Sequence, residues 1–223
     1  MADSIEEVRK LASQIDGWLS DSEGELLYKL AKDVPSGQAI VEIGGWHGKA
    51  TVWLAKGTEA GQQNKVYSID PRAETDSAFL SNLAKVGVQA TVIPLATTWD
   101  EAAKRWREKV GLLWMDAFQD YEDVTQAFLS WQRYLLPGAM VAVSHCDQPG
   151  PARFVEEHIK HSTDFAVVQS VDRIVVMEKN KCRHYWSVDS TDIGVCKYCG
   201  KKTDFKKLTR DFNKWLGQSL PLK

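Results

Sequence analysis

Residues 39–48 read Ala39-Ile40-Val41-Glu42-Ile43-Gly44-Gly45-Trp46-His47-Gly48. The first five make a short, β-branched, largely apolar run of the kind that forms a buried strand. The glycines that follow punctuate it, and Lys49 to about Lys56 reads as helix. A strand, a glycine turn and a helix in that order open a parallel α/β unit.

The alternation continues downstream. Val66-Tyr67-Ser68-Ile69 reads as a second strand ending at Asp70-Pro71, with a helix over about Ser77 to Val86. Thr91 to Ile93 and Trp99 to Arg107 repeat the pair. So do Leu112 to Met115, ending at Asp116, and the helix through Val124, Phe128 and Trp131. Pro137-Gly138 turns into a strand from Met140 to Val143, and Ala152 to His158 reads as helix. Two β-rich runs, Phe165 to Gln169 and Arg173 to Met177, are separated by almost nothing. So tight a connection joins only antiparallel strands, because a parallel pair needs a crossover of a dozen or so residues. The expectation is a Rossmann-like, doubly wound, mostly parallel seven-stranded sheet that ends in an antiparallel hairpin.

Upstream, Ser4 and Glu7 form a capping box opening a helix through Val8, Leu11, Ile15 and Leu19. A second helix starts near Asp21 and stops before Pro35-Ser36-Gly37. The chain divides into a helical lead-in (1–36), the α/β domain (37–179), a small Cys/His segment (180–203) and a C-terminal helix (204–223).

Bulk properties narrow the function classes. A chain of 223 residues, 43% hydrophobic and 26% charged, has room for one good α/β core. The net charge of −2 gives no long-range pull toward nucleic acid, which is an unlikely partner. Asp3, Glu6 and Glu7 occupy positions where a secretory leader is basic or apolar. Apolar runs such as Met140 to Val143 are far too short to cross a bilayer. A cytoplasmic protein with no membrane partner and no disulfides among its four cysteines is expected.

In open α/β sheets, ligands bind beyond the carboxyl ends of the central strands. Gly44, Gly45 and Gly48 there let the backbone turn and approach a ligand, and Asp70 stands where a carboxylate accepts from both ribose hydroxyls. Asp116 follows the fourth strand and His145 the fifth. Each has a plainer reading: a tight strand-to-helix turn for the glycines, a cap or turn for Asp70 and Asp116, a polar loop residue for His145. The loop lacks the Gly-x-Gly-x-x-Gly order that brings a helix to a pyrophosphate, which favours S-adenosylmethionine over NAD.

Val41-Glu42-Ile43-Gly44 with Gly48-Lys49-Ala50-Thr51, then Val66 to Pro71, resembles the first two motifs of class I S-adenosylmethionine-dependent methyltransferases of the "methyltransferase 24" type. That group includes macrocin-type sugar O-methyltransferases and cephalosporin-hydroxylase-like proteins. The likeness runs through Trp114 to Val124, Tyr134 to Ala139 and Arg153-Phe154-Val155, and covers about residues 15 to 178. It implies that Glu42, Gly44, Gly45, Trp46 and Gly48 shape the pocket for the methionine half, and that Asp70 holds the ribose. Ala96 and Thr97 would flank the adenine, and Asp116 would face the sulfonium or the acceptor, a small-molecule or saccharide hydroxyl. Asp116 and His145 are the candidate catalytic pair. Two departures matter: Gln119 replaces the family's usual histidine, and Ser144-His145 replaces its His-Asp pair, with Asp147 two residues on. These changes put a catalytic divalent cation in doubt. An NAD(P)-dependent oxidoreductase and a methyltransferase-like binding module without turnover remain the alternatives.

Near the C-terminus, Cys182-x-His184 and Cys196-x-x-Cys199-Gly200 supply a Cys₃His set with zinc-knuckle spacing. A closed four-ligand set implies a structural Zn²⁺, since catalytic zinc keeps a position open.

Overall fold

A computed structural model of the chain describes residues 3–74, 76–181, 184–197 and 201–219, with side chains to residue 213. Helix α1 (Ile5–Ala12) opens on the Ser4/Glu7 capping box. It stops short of Leu19 because Ser13 and Gln14 turn their side chains onto the Lys10 carbonyl, the acceptor the next turn needs. Residues 13–20 therefore leave the helix. Helix α2 (Asp21–Lys32) begins on a second capping box, Ser20 with Glu23.

The α/β units follow as β1 (Ala39–Ile43), α3 (Lys49–Glu59), β2 (Val66–Ile69), α4 (Ser77–Val86), β3 (Val92–Leu95), α5 (Trp99–Arg105), β4 (Val110–Met115) and α6 (Tyr121–Trp131). Strand β5 (Leu135–Val143) starts five residues earlier than expected and absorbs Pro137-Gly138, where Gly138 takes the positive φ of 85° that a side chain would resist. Helix α7 (Pro149–Phe154) runs into a single π-turn, Val155–Ile159. Strands β6 (Phe165–Val171) and β7 (Ile174–Lys179) form the closing hairpin.

The seven strands lie in the order β3-β2-β1-β4-β5-β7-β6. The β1–β2, β1–β4, β2–β3 and β4–β5 pairs are parallel, and β7 is antiparallel to both β5 and β6. Side-chain alternation splits the central strands between two cores. Ile40, Leu112 and Trp114 face α2, α3 and α4 through Leu27, Trp53 and Phe79. Val41, Leu113 and Met115 face α5, α6 and α7 through Trp106, Phe128 and Phe154.

The last segment holds three short strands, β8 (Trp186–Val188), β9 (Ile193–Cys196) and β10 (Lys202–Asp204), paired antiparallel as β10-β9-β8 and followed by α8 (Phe205–Ser219). The sequence pattern anticipates the ligand spacing and a C-terminal helix here, and not the three strands. Strands of three or four residues are too short to show alternation. Among the described residues, no helix is long and apolar enough to cross a membrane.

The lead-in packs backbone against helix. A Cβ on Gly57 of α3 would stand 2.3 Å from the Tyr28 carbonyl oxygen of α2. Backbone cannot yield there as a flexible side chain does. Gly57→Ala is expected to destabilise the protein by about 1–3 kcal/mol, read by urea unfolding; a change under about 0.5 kcal/mol would mean that α2 and α3 do not meet this closely.

Candidate active site

Parallel pairing on both sides of β1 makes its carboxyl end the point where the chain order reverses, and loops leaving there diverge to leave a crevice. A cavity of about 460 Å³ occupies it. Gly44, Gly45 and Trp46 from the loop after β1 and Asp70 from the end of β2 form one wall. Asp116, Ser144 and His145, from the ends of β4 and β5, form another.

The loop is built for close approach. Gly44 and Gly48 hold φ of 99° and 87°, and a Cβ on Gly45 would lie 2.4 Å from Ser68 Oγ. Trp46 adopts φ 38°, a region non-glycine residues rarely occupy, and its N–H donates to Asp70 Oδ2 at 3.3 Å. Asp70 Oδ1 accepts from the Arg72 N–H at 2.9 Å. His145 also has positive φ, 58°. Two such residues in one cleft are stored strain of about 1–3 kcal/mol each, which persists where surrounding contacts impose it.

Glu42 lies fully buried beneath this loop. Thr51 and Ser68 hydroxyls donate to its Oε2 at 2.6 and 2.5 Å, while Oε1 has no partner among the described residues. Burial pushes its carboxyl up to about 7 against the pull of those two hydroxyls, with Asp116 and Asp70 adding to the rise. Burial also raises Asp116 to about 7, opposed by a Ser144 hydrogen bond. His145 Nδ1 stands 3.7 Å from Asp116 Oδ1. Burial, and then the Arg173 charge, lower the His145 pKa. The imidazole is therefore neutral near pH 7 and able to accept a proton.

Not every candidate meets here. Gly48 caps α3 behind the loop, its Cβ position packed on Phe79. Ala96 and Thr97 line a separate cavity of about 460 Å³ with Tyr67 and Trp106. Asp147 is exposed and outside the cleft. Gln119 lines the cleft in place of a ligand histidine, and the described residues group no three His, Cys, Asp or Glu side chains that could hold a metal ion. Of the zinc set, Cys182 and Cys199 lie outside the described residues.

Among the cleft residues not anticipated as such, Trp18, Lys49 and Arg173 carry the largest side chains. Arg173 immediately precedes β7 in the hairpin turn, and a strand antiparallel to its neighbours begins where they end. Its guanidinium donates to fully buried Glu23 at 3.0 Å and to the Trp18 carbonyl at 2.7 Å, while its N–H donates to Glu23 Oε1 at 3.2 Å. Lys49 Nζ donates to the Gly17 carbonyl at 3.1 Å. The lead-in segment is thereby strapped across the cleft. The topological signal for Arg173 was available from the hairpin; Gly17-Trp18-Leu19-Ser20 resembles the family's lead-in, but that likeness assigns Trp18 no place in the cleft.

Residues 41–145 match the family model described as "Methyltransferase domain" (Methyltransf_24). The match spans just under half of the chain and supports methyltransferase as the enzyme class. The fold is similar to that of the O-methyltransferase TomG from Streptomyces achromogenes, involved in tomaymycin synthesis and solved with SAM: 20% identity, 79% of this chain and 89% of that one, TM-score 0.61. The O-methyltransferase from Bacillus cereus in complex with SAH gives 18% identity, 79% and 90% coverage and TM-score 0.61. An rRNA methylase from Streptococcus thermophilus gives 16% identity, 70% and 95% coverage and TM-score 0.54. At these identities the likeness is one of fold, and the fold does not choose the acceptor. No curated protein sequence matches the chain.

The two raised carboxyls carry a stability consequence. Each binds its proton in the fold at a pH where the unfolded chain, with ordinary values of 4.5 and 3.8, has released it. The native state holds more protons across that window, so stability falls as pH rises from about 4 to about 7 and is level above. Glu42→Gln is expected to remove its share, on the order of 1–3 kcal/mol, so that urea unfolding at pH 5 and pH 8 differs less than in the wild type. An unchanged difference would show that Glu42 is ionised in the fold.

Proposed function

We propose that the chain is an S-adenosylmethionine-dependent O-methyltransferase acting on a hydroxyl of a small molecule or saccharide. The observation that carries this is the convergence of the glycine loop, Asp70, Asp116 and His145 on one cleft at the switch point of the sheet. The residues fit the cofactor. Gly44 and Gly45 line the cleft without side chains, and Glu42, with Oε1 orphaned among the described residues, lies buried beneath them as a source of negative charge suited to a cationic amino group. Asp70 carries a carboxylate at the height expected for ribose hydroxyls.

When bound, S-adenosylmethionine supplies an electrophilic methyl group. The protein's own task is alignment and proton removal. His145 Nε2 would take the acceptor hydroxyl proton, and Asp116 Oδ1, 3.7 Å from Nδ1, would steady the resulting imidazolium. Gly17, Trp18 and Leu19 line the same cleft as these groups. Calorimetry with S-adenosylhomocysteine tests the reading. Wild-type protein should bind it, and Asp70→Ala should weaken binding roughly 10- to 100-fold, the loss of hydrogen bonds to a charged group. No heat with the wild type would overturn the proposal.

The C-terminal segment is a structural zinc site on the same reading. Cys196 ends β9 buried, and its cross-strand partner Trp186 lies two residues from His184, so these two candidate ligands share one end of the small sheet. The Cys196 N–H donates to the Lys201 carbonyl at 2.9 Å. Elemental analysis should find about one zinc per chain, lost in Cys196→Ser. Protein with all four residues intact and no zinc would contradict the site.

A further inference from the structure

Trp18 has 77% of its surface exposed, more than any other large hydrophobic side chain described. Loose surface tryptophans are common enough, but this one is held. One face stacks on Trp46 with ring centres 4.7 Å apart and planes within 13°. Trp46 stacks in turn on His47 at 4.0 Å and 13°. The backbone beneath is tied on both sides, the Trp18 carbonyl by Arg173 and the Gly17 carbonyl by Lys49. Trp46 takes its rare positive φ in the middle of the column. Three near-parallel rings thus end in an indole face open to water, and Trp18 lines the same cleft as Asp116 and His145.

An apolar face of this size, held by the Trp46 stack and belonging to a residue that lines the same cleft as Asp116 and His145, is a ready-made stacking site. We infer that the face of Trp18 turned away from Trp46 is the acceptor platform, and that the acceptor presents a flat hydroxylated ring, a phenol or a pyranose, to it. The inference rests on the methyl-transfer reading and names the substrate class within it. Both ring types share the required chemistry: a face of C–H or π character to lie on the indole, and ring hydroxyls at its edge to meet His145. Covering the indole would recover apolar surface now in water, and the fixed backbone means little order has to be created on binding.

The test uses full-length protein saturated with S-adenosylhomocysteine, and saturation-transfer NMR on two probes, catechol and methyl β-D-glucopyranoside. At least one probe should bind, and which one does separates the phenol from the sugar. Trp18→Ala should weaken that probe roughly tenfold or more, while Trp18→Phe, which keeps a flat face, should lose less. S-adenosylhomocysteine affinity should stay within about twofold in both variants, since Trp18 is assigned to the acceptor. Three results would overturn the platform: neither probe binding, probe affinity unmoved by Trp18→Ala, or cofactor-product affinity falling tenfold in that variant, which would make Trp18 a cover over the cofactor. Failure of the wild type to bind S-adenosylhomocysteine is a different outcome and contradicts the methyl-transfer reading itself.

Discussion

Strand β1 is hydrogen-bonded to a parallel neighbour along both edges, Ile40 to Ile43 against β2 on one side and against β4 on the other. From that pairing the order of the sheet reverses, and the loops leaving β1 and β4 must part. The glycine loop, Asp70, Asp116 and His145 stand at that parting. The buried strand forces Glu42 into a dry interior, where only the Thr51 and Ser68 hydroxyls answer it. The glycine loop directly above takes conformations that side chains would obstruct. Asp70 and Asp116 arrive because β2 and β4 run the same way and end at the same height.

The lead-in is part of that site and not an appendage. Glu23 has two duties: it completes the cap of α2, and it receives Arg173 from the turn before β7, 150 residues away. A fully buried carboxylate needs several donors, and here it has the Ser20 N–H, the Arg173 N–H and the guanidinium. Ser20 Oγ adds a bond to Asp172 at 2.7 Å. The hairpin that ends the sheet and the helix that precedes it are thus latched together over the cleft. Arg173 then lowers the pKa values of both Asp116 and His145 while Glu23 raises them. The latch sets the charge environment of the proposed catalytic pair as well as the position of Trp18.

The seven strands and the closing hairpin were largely legible because each βα unit punctuates itself. Apolar runs of four to six residues end at Asp70-Pro71, Asp116 or Ser144-His145, and the short link before Arg173 admits only an antiparallel return. Helix ends were less legible. The stop of α1 depends on Ser13 and Gln14 competing for one carbonyl, and periodicity through Ile15 and Leu19 says nothing of that. The cleft divided the same way. Residues at strand ends could be placed from topology, whereas Trp18, reaching the site from outside the α/β unit, depends on Arg173, Lys49 and Trp46, contacts of long sequence separation. Ala96 and Thr97 follow β3 at the same end of the sheet, but they face a neighbouring cavity, a divergence of loops that strand order alone does not reveal.

The central claim is that one adenosyl group is held where β1, β2 and β4 end. Backbone amide chemical shifts of isotope-labelled protein, followed as S-adenosylhomocysteine is added, test it most directly. The account predicts that the largest movements fall on Gly44, Gly45, Trp46 and Arg72, whose amides belong to the glycine loop or bind the Asp70 carboxylate. Movements confined to α8 and the small three-stranded sheet, or none at saturating concentration, would contradict it.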